Sequence, residues 1–320
     1  MHFLIILFFQ ILSAEVADST KKEVESIFSQ GQEFGGKFPS GHLEEVLRLY
    51  NSDEKIRLVS YNILLSQLDR SQKPTNKWDQ RKKRVKELLS HMDADIYILQ
   101  ECSKKQKNWV WEQFSKEYQI VTSSTHYFEN LPVLFRKSRF ELIKTSCWVD
   151  NGSERIRYVC LKDKKTQKEL HLMNTHTEFQ DMNKRQKTFD QIVNLYRDLD
   201  FPKKFLVGGD MNAFDPYIEY KNLPFWDGAL LHQKLLRTGL NDVKELVFFG
   251  QFGPSSTFTN VSAQDSTGFE GEGVPGIYLD RFYAAQGVLP LFFGVERGKV
   301  EGQYPSDHMP IFTEFVLIDE

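Results

Sequence analysis

The sequence predicts one large α/β (α+β) domain that carries its chemistry at strand ends, and three observations support that expectation. Short apolar runs without helical period, Phe205-Leu206-Val207 the clearest of them, read as buried strands. Between residues 55 and 101 the pattern runs strand, helix, strand, a β-α-β unit whose two strand ends share one sheet edge. Several strands also stop on polar groups: Asn62, Glu101, Asn174-Thr175-His176 and Gly208-Gly209-Asp210-Met211-Asn212.

The 320 residues, 40% hydrophobic, suffice for one core, and no linker, low-complexity tract or internal repeat divides the middle of the chain. A formal net charge of −3 makes the chain no polycation, so a nucleic-acid partner would need a local basic patch. Cys102, Cys147 and Cys160 are too few for a disulfide scaffold and leave room for one bridge.

At the front, the apolar run from Phe3 to Leu12 followed by Ser13-Ala14 is too short to span a bilayer and has the length of a signal-peptide core. It predicts a signal peptide over 1–14, a secreted or periplasmic protein and no transmembrane anchor, although no Lys or Arg precedes the run. Residues 15–54 read as a helical extension, with Leu43, Val46, Leu47 and Tyr50 at helical spacing, and the domain proper occupies 55–320.

Within it, 55–62 alternates as a strand, Pro74 marks a loop, and 78–92 is a helix with Val85, Leu88, Leu89 and Met92 on its apolar face. The run Arg81-Lys82-Lys83-Arg84 on that helix reads as a solvated face before a phosphate clamp. A second buried strand spans 95–101, an aromatic helical stretch 109–118, and strands 132–136, 140–149, 155–162 and 169–175 follow. A helix over 184–199 buries Phe189, Ile192, Val193 and Tyr196 and leads into the strand at Phe205; further strands are expected near 256–259, 276–283 and 311–317.

The polar strand ends collect Asn62, Gln100, Glu101, Asn174, His176, Asp210, Asn212, Asp280, Asp307 and His308. Side chains alternate along a strand, so Asp210 and Asn212 share a face. Carboxylates and amides with room for water suit Mg²⁺, Mn²⁺ or Ca²⁺. Zinc is disfavoured, because there is no His-Glu-x-x-His helix and the cysteines lack metal-ligand spacing.

Taken in order, Ser60-Tyr61-Asn62, Leu99-Gln100-Glu101, Asn174-Thr175-His176, Gly209-Asp210-Met211-Asn212, Ser256-Thr257-Phe258, Leu279-Asp280-Arg281 and Ser306-Asp307-His308 resemble the endonuclease/exonuclease/phosphatase superfamily, the deoxyribonuclease-I-like fold. The resemblance covers residues 55 to 318 and is strongest to compact exported or bacterial-type members, which Trp78, Arg81, Arg185 and Tyr304-Pro305 also match.

The resemblance implies a four-layer sandwich, two packed mixed β-sheets flanked by helices, and a monomeric divalent-metal-dependent phosphoesterase using Mg²⁺, with Mn²⁺ or Ca²⁺ as alternatives. Glu101 would be the principal metal ligand, beside Asn62 and Asp307. Asp210 and Asn212 would orient water and phosphoryl group, and His176 would hydrogen-bond a phosphate oxygen. His308, paired with Asp280, would act as general base or charge stabiliser, while Asn174 and Arg185 would contact substrate.

The expected substrate is a phosphoester, a nucleic acid or a small phosphorylated molecule, with a nuclease-type phosphodiesterase ahead of a phosphatase or lipid phosphodiesterase acting on inositol phosphate, sugar phosphate or sphingomyelin. Asn212-Ala213-Phe214 departs from the inositol polyphosphate 5-phosphatase signature, and Leu289-Pro290-Leu291-Phe292-Phe293 is only a short exposed candidate for membrane contact. The Gly-rich run 250–276 carries Phe252, Phe258 and Phe269 with Asp265, Glu270 and Glu272 and no Lys or Arg. It is a poor track for duplex DNA and a plausible stacking loop beside the site. A reading of another class, an inactive binding protein on the same fold, requires a broken site, whereas every expected ligand type is present.

Overall fold

Each apolar stretch of the chain finds a partner surface through the period of its element, and the computed structural model describes the result for residues 48, 52–71, 76–125, 127–213, 228–247, 250–254, 256–258 and 278–319. The chain divides into two compact units, Met1–Asn51 and Ser52–Glu320. The expected signal peptide, almost all of the helical extension, and Asp265, Phe269, Glu270 and Glu272 lie outside the described residues.

In the second unit β1 (Ile56–Asn62), α1 (Trp78–Met92) and β2 (Ile96–Gln100) form the expected β-α-β unit, the two strands parallel with Asn62 opposite Gln100. No side chain of Lys77 caps α1; Asp69 accepts instead from Trp78 N–H at 3.0 Å. The next helix, α2 (Lys104–Phe114), begins earlier than 109 because Ser103 and Gln106 close a capping box. It also ends earlier, for Tyr118 opens β3 (Tyr118–Val121), pairs with Arg136 of β4 (Val133–Arg136) and sends its hydroxyl to Ala94 O.

Then β5 (Phe140–Asp150), β6 (Ser153–Asp163) and β7 (Glu169–His176) run as antiparallel neighbours. α3 (Met182–Asp198), capped by Asp181, crosses to β8 (Phe205–Asp210), which lies parallel to β7 with His176 opposite Asp210. After α4 (Gly228–Leu236), β9 (Asn241–Asp242), α5 (Val243–Leu246) and β10 (Gln251–Phe252), β11 (Asp280–Ala284) returns antiparallel to β8 and sets Asp280 opposite Asp210. β12 (Val288–Val295) and β13 (Ile311–Leu317) complete the order.

Among the described residues these strands form a seven-stranded sheet, β10-β12-β13-β1-β2-β4-β3, and a six-stranded sheet, β5-β6-β7-β8-β11-β9, both mixed. Period-two alternation builds the layers: Ile96 and Ile98 of β2 face the other sheet's Leu172 and Phe282, whereas Tyr97 and Leu99 face Val85, Leu88 and Val110 of the helices. On the other side Phe189 and Ile192 of α3 and Leu231 of α4 cover Met173 and Val207. This is the four-layer sandwich.

The glycine pair ending β8 is required by close approach. A Cβ on Gly208 would meet the Phe282 ring at 2.3 Å, and at Gly209, with φ +140°, it would lie 1.9 Å from Thr175 O.

Three expectations change. The strand near 256–259 shrinks, within the described residues, to one bridge between Phe258 and His308. The apolar run at 289–293 is an interior strand, with Leu291 and Phe293 buried and Pro290 at a register shift where its missing N–H is tolerated. The basic run on α1 is split: Arg81 and Arg84 point inward, Lys83 outward. All three cysteines are free.

Candidate active site

Register places the site before any side chain is considered. β1 and β2 end side by side in one sheet, β7, β8 and the start of β11 meet in the other, and the two sheets are laced together at that edge. Asn62 Nδ2 donates across the gap to Asp210 Oδ2 at 3.0 Å and to Glu101 Oε1 at 3.0 Å. Gln100 Nε2 donates to Asn174 Oδ1 at 2.8 Å, and Asn174 Nδ2 returns to Leu99 O at 2.8 Å.

Glu101 leaves β2 with φ 55°, a left-handed conformation costing on the order of 1–3 kcal/mol that swings its carboxylate over the strand ends. Leu65 N–H fixes Oε2 at 2.9 Å. Burial raises its pKa, and the charges of Asp307 and Glu129 add to that rise against the pull of His176.

Asp210 sits at the centre. Its Oδ2 lies 3.5 Å from His176 Nε2 and 3.5 Å from His308 Nε2, and its Oδ1 accepts from Asn212 N–H at 2.9 Å. Burial would raise this carboxyl, but the two imidazoles and the Asn62 amide hold it below its ordinary value. Asn212, also left-handed at φ 43°, gives Nδ2 to Thr177 O at 2.9 Å and to His176 Nε2 at 3.1 Å.

Each histidine has its own carboxylate. His308 Nδ1 bonds Asp280 Oδ2 at 2.9 Å, fixing the ring's tautomer and leaving Nε2 toward Asp210. Burial disfavours its charge, yet Asp280 and Asp210 carry its pKa well above the usual imidazole value. His176 Nδ1 bonds Glu129 Oε1; burial opposes that ring's charge too, and Glu129, Asp210 and Glu101 lift it to about 9. The Asn212 amide, anchored on Thr177, presents a donor to Nε2 and so pulls the other way, toward the neutral ring. Phe258 packs edge-on against His308, ring centroids 5.2 Å apart. Thr257 Oγ1 accepts from Leu279 N–H and Asp280 N–H, and its carbonyl accepts from Met309 N–H, joining both sides of the His308–Asp280 pair.

Of the ten residues to which the resemblance gives roles, eight stand at this edge and two, Asn174 and Arg185, stand behind them. Asn174 is fully buried and spends its amide on lacing the sheets, and Arg185, fully buried, donates to Glu178 O at 2.7 Å and Phe179 O at 2.8 Å. In this structure both spend their polar groups on the protein itself. Asn62 Oδ1 accepts from Leu64 N–H at 3.0 Å and its nitrogen faces the acids, bridging the Glu101 and Asp210 carboxylates. Asp307 is partly buried, its charge acts on Glu101, and neighbouring Ser306 Oγ donates to Asn62 O at 2.7 Å.

Glu129 was not legible. It lies in the irregular segment between β3 and β4, yet Oε1 accepts from Glu101 N–H at 3.0 Å and from His176, and Oε2 lies 3.6 Å from Arg155. No periodicity or motif spacing marks it.

The donor set fits a divalent cation. Glu101, His176 and Asp210 each offer a ligand atom within 4.8 Å of the others, as do Asp210, Asp280 and His308. Glu101, crowded by Asp307 and Glu129, is a carboxylate whose charge its surroundings leave undercompensated, and oxygen-rich donors of this kind suit Mg²⁺ or Mn²⁺.

The family model for the Endonuclease/Exonuclease/phosphatase family matches residues 59–308. No curated protein matches the chain. Among solved structures it is similar to a mannosyl-6-phosphatase of Bacteroides thetaiotaomicron VPI-5482, at 18% identity, 82% of this chain and 100% of that one, with TM-score 0.65. It is also similar to D. rerio TDP2 complexed with a single-strand DNA product (18% identity, 82% and 99% covered, TM-score 0.59). A third likeness is to the human Nocturnin catalytic domain with bound sulfate (19% identity, 84% and 95% covered, TM-score 0.59). At these identities the likeness is one of fold.

Proposed function

Because the chain belongs to the endonuclease/exonuclease/phosphatase family, hydrolases of phosphoester bonds, we propose that it is a divalent-metal-dependent phosphoesterase working at the Glu101–Asp210 edge. The observation that carries the reading is the placement of Asp210 Oδ2 at 3.5 Å from both His176 Nε2 and His308 Nε2, with Glu101 bridged to it by Asn62. Glu101, helped by Asp307, would hold Mg²⁺ or Mn²⁺. The bound cation would supply Lewis-acid polarisation of a phosphoryl oxygen and neutralise its charge.

The protein's own groups do the rest. Asp210, kept ionised, orients the attacking water and accepts its proton, with Asn212 holding the carboxylate in place through its backbone. His308, kept protonated by Asp280, donates toward the phosphoryl oxygens as charge accumulates there, which favours the charge-stabilising role over that of base. His176, steadied by Glu129, faces the same group from the opposite side.

For substrate we take phosphodiesters of single-stranded or short nucleic acid. The basic run on α1 is half turned inward and offers no continuous track for a duplex. Exposed rings accompany the site instead: Phe128 directly precedes Glu129, and Phe179 stands in the loop that leaves His176, 56% and 50% exposed. Aromatics of this kind stack bases with little regard to sequence.

No helix of the described residues is long and apolar enough to cross a membrane. We also propose export with cleavage after Ala14, testable by mass spectrometry of the mature chain; a cytoplasmic protein retaining Met1 overturns it.

The deciding experiment runs single- and double-stranded oligonucleotides, sphingomyelin, inositol phosphates and sugar phosphates with Mg²⁺ and with chelator. Expected is Mg²⁺-dependent hydrolysis, best on single strands. Turnover of none of them by folded, Mg²⁺-supplied protein overturns the reading in favour of a binding protein.

A further inference from the structure

A second group of ligating side chains stands on the outer face of the six-stranded sheet, at the other end of β7 from His176. Cys160 of β6 and His171 of β7 are direct cross-strand partners, and Glu169, two residues before His171, shares its face. His176 lies five positions beyond His171 along the strand, about 17 Å at ~3.4 Å per residue, so this group is independent of the phosphoesterase site.

We propose that Cys160, Glu169 and His171 form a binding site for a borderline-soft divalent transition-metal ion, Zn²⁺, with solvent water as the fourth ligand. Cys160 Sγ, a Glu169 carboxylate oxygen and a His171 ring nitrogen lie within 4.8 Å of one another. Cys160 Sγ is 3.8 Å from Glu169 Oε2. Tetrahedral Zn²⁺ with Zn–S of about 2.3 Å and Zn–O of about 2.1 Å separates sulfur and oxygen by about 3.6 Å, so the pair already stands near ligand spacing.

The imidazole is held in the manner of a metal ligand. Tyr158 Oη lies 2.8 Å from His171 Nδ1 and the two rings stack with centroids 6.0 Å apart, which fixes the ring plane beside the Cys160 sulfur. Burial is graded to suit: Cys160 is buried, His171 half-buried, and Glu169 exposed, so the cluster opens on one side to water.

Metal-free, the thiol is pushed up to about 11, by burial first and then by the Glu169 charge, and its S–H points to that carboxylate. Binding replaces that proton: the Cys160 sulfur forms the Zn–S bond and one proton leaves to solvent. Lys144 of β5, an exposed side chain whose charge acts on both Cys160 and His171, is long enough to swing away from an arriving cation. The site escapes sequence motifs because its ligands meet through hairpin register and not through Cys or His spacing.

Co²⁺ is the probe, since thiolate ligation gives a near-ultraviolet charge-transfer band that oxygen and imidazole ligands do not. Expected is a band saturating at one Co²⁺ per chain and displaced by Zn²⁺. Cys160→Ser should abolish it, His171→Ala and the surface change Glu169→Gln should weaken Co²⁺ binding at least tenfold, and Cys147→Ser and Glu101→Gln should leave it intact. Absence of the band from the folded wild-type protein overturns the proposal, as does a band that survives Cys160→Ser. Circular dichroism on each variant confirms folding, and Glu169→Gln carries the test if Cys160→Ser does not fold.

Discussion

Replacing Arg81 by Met separates a buried clamp from a solvated helix face. The guanidinium is 1% exposed and lies over the Trp78 ring at 5.0 Å. Nη1 donates to Ile63 O and, at 3.3 Å, to Pro305 O, while Nη2 donates to Leu64 O. It therefore ties the loop following Asn62 to the loop that carries Ser306, Asp307 and His308. Met keeps the stem and removes the donors. Leu64 O retains Gln106 Nε2 at 2.8 Å, so Ile63 O and Pro305 O are the acceptors that lose this partner. At roughly 1–3 kcal/mol for each buried acceptor left unpaired, and with the cost of burying the guanidinium recovered, Arg81→Met should destabilise by about 3 kcal/mol. For a domain of this size that lowers Tm by about 6–10 °C. Arg81→Lys keeps the charge but not the fork and should lose about half as much. Urea unfolding measures both. Activity should fall about tenfold in Arg81→Met, because the loops carrying Asn62 and Asp307 are then joined only through the Ser306–Asn62 bond among the ties described above. An unfolding free energy within about 0.5 kcal/mol of wild type, the usual outcome at an exposed position, would refute the clamp.

His308→Ala should lower kcat by about 10²–10⁴-fold with a milder change in KM, and Asp280→Asn should act in the same direction but less, because it only holds the ring; steady-state kinetics that show a KM effect alone would make His308 a binding group. Gly209→Ala forces a Cβ to 1.9 Å from Thr175 O at positive φ and should cost about 3 kcal/mol or more of stability, read by denaturant unfolding; a neutral result would mean that β7 and β8 separate freely. Phe128→Ala and Phe179→Ala should each raise KM for single-stranded oligonucleotides about 5–100-fold with kcat nearly unchanged, as loss of about 1–3 kcal/mol of stacking requires, and unaltered kinetics would remove both rings from the substrate path.

The β-α-β unit, α1, β13 and the glycine-terminated β8 were legible because each shows a clear period or an unbroken apolar run that comes to a sharp stop. Strand ends were legible for the same reason, which is why Glu101, Asp210 and His308 emerged from a linear reading. Residues whose role depends on depth were not. Arg81 and Arg84 look like a charged face in one dimension and are buried in three, and Asn174 looks like a site residue yet laces two sheets together. Glu129 reaches the site from an irregular segment, where no periodicity predicts direction. β12, read as a short exposed candidate for membrane contact, is an interior strand, and Pro290 fits there because the register shifts beside it.

Everything proposed for the site turns on Glu101 carrying the charge that a divalent cation needs. Glu101→Gln preserves shape and removes that charge, so Mg²⁺-dependent phosphoester hydrolysis and Mg²⁺-induced thermal stabilisation, measured together on folded wild type and variant, test the account directly. It predicts that the wild type turns over substrate and gains stability with Mg²⁺, and that the variant keeps the metal-free Tm but loses the gain and about 10²–10⁴-fold or more of the rate. Equal Mg²⁺ stabilisation of the two proteins, with activity retained in Glu101→Gln, would contradict it.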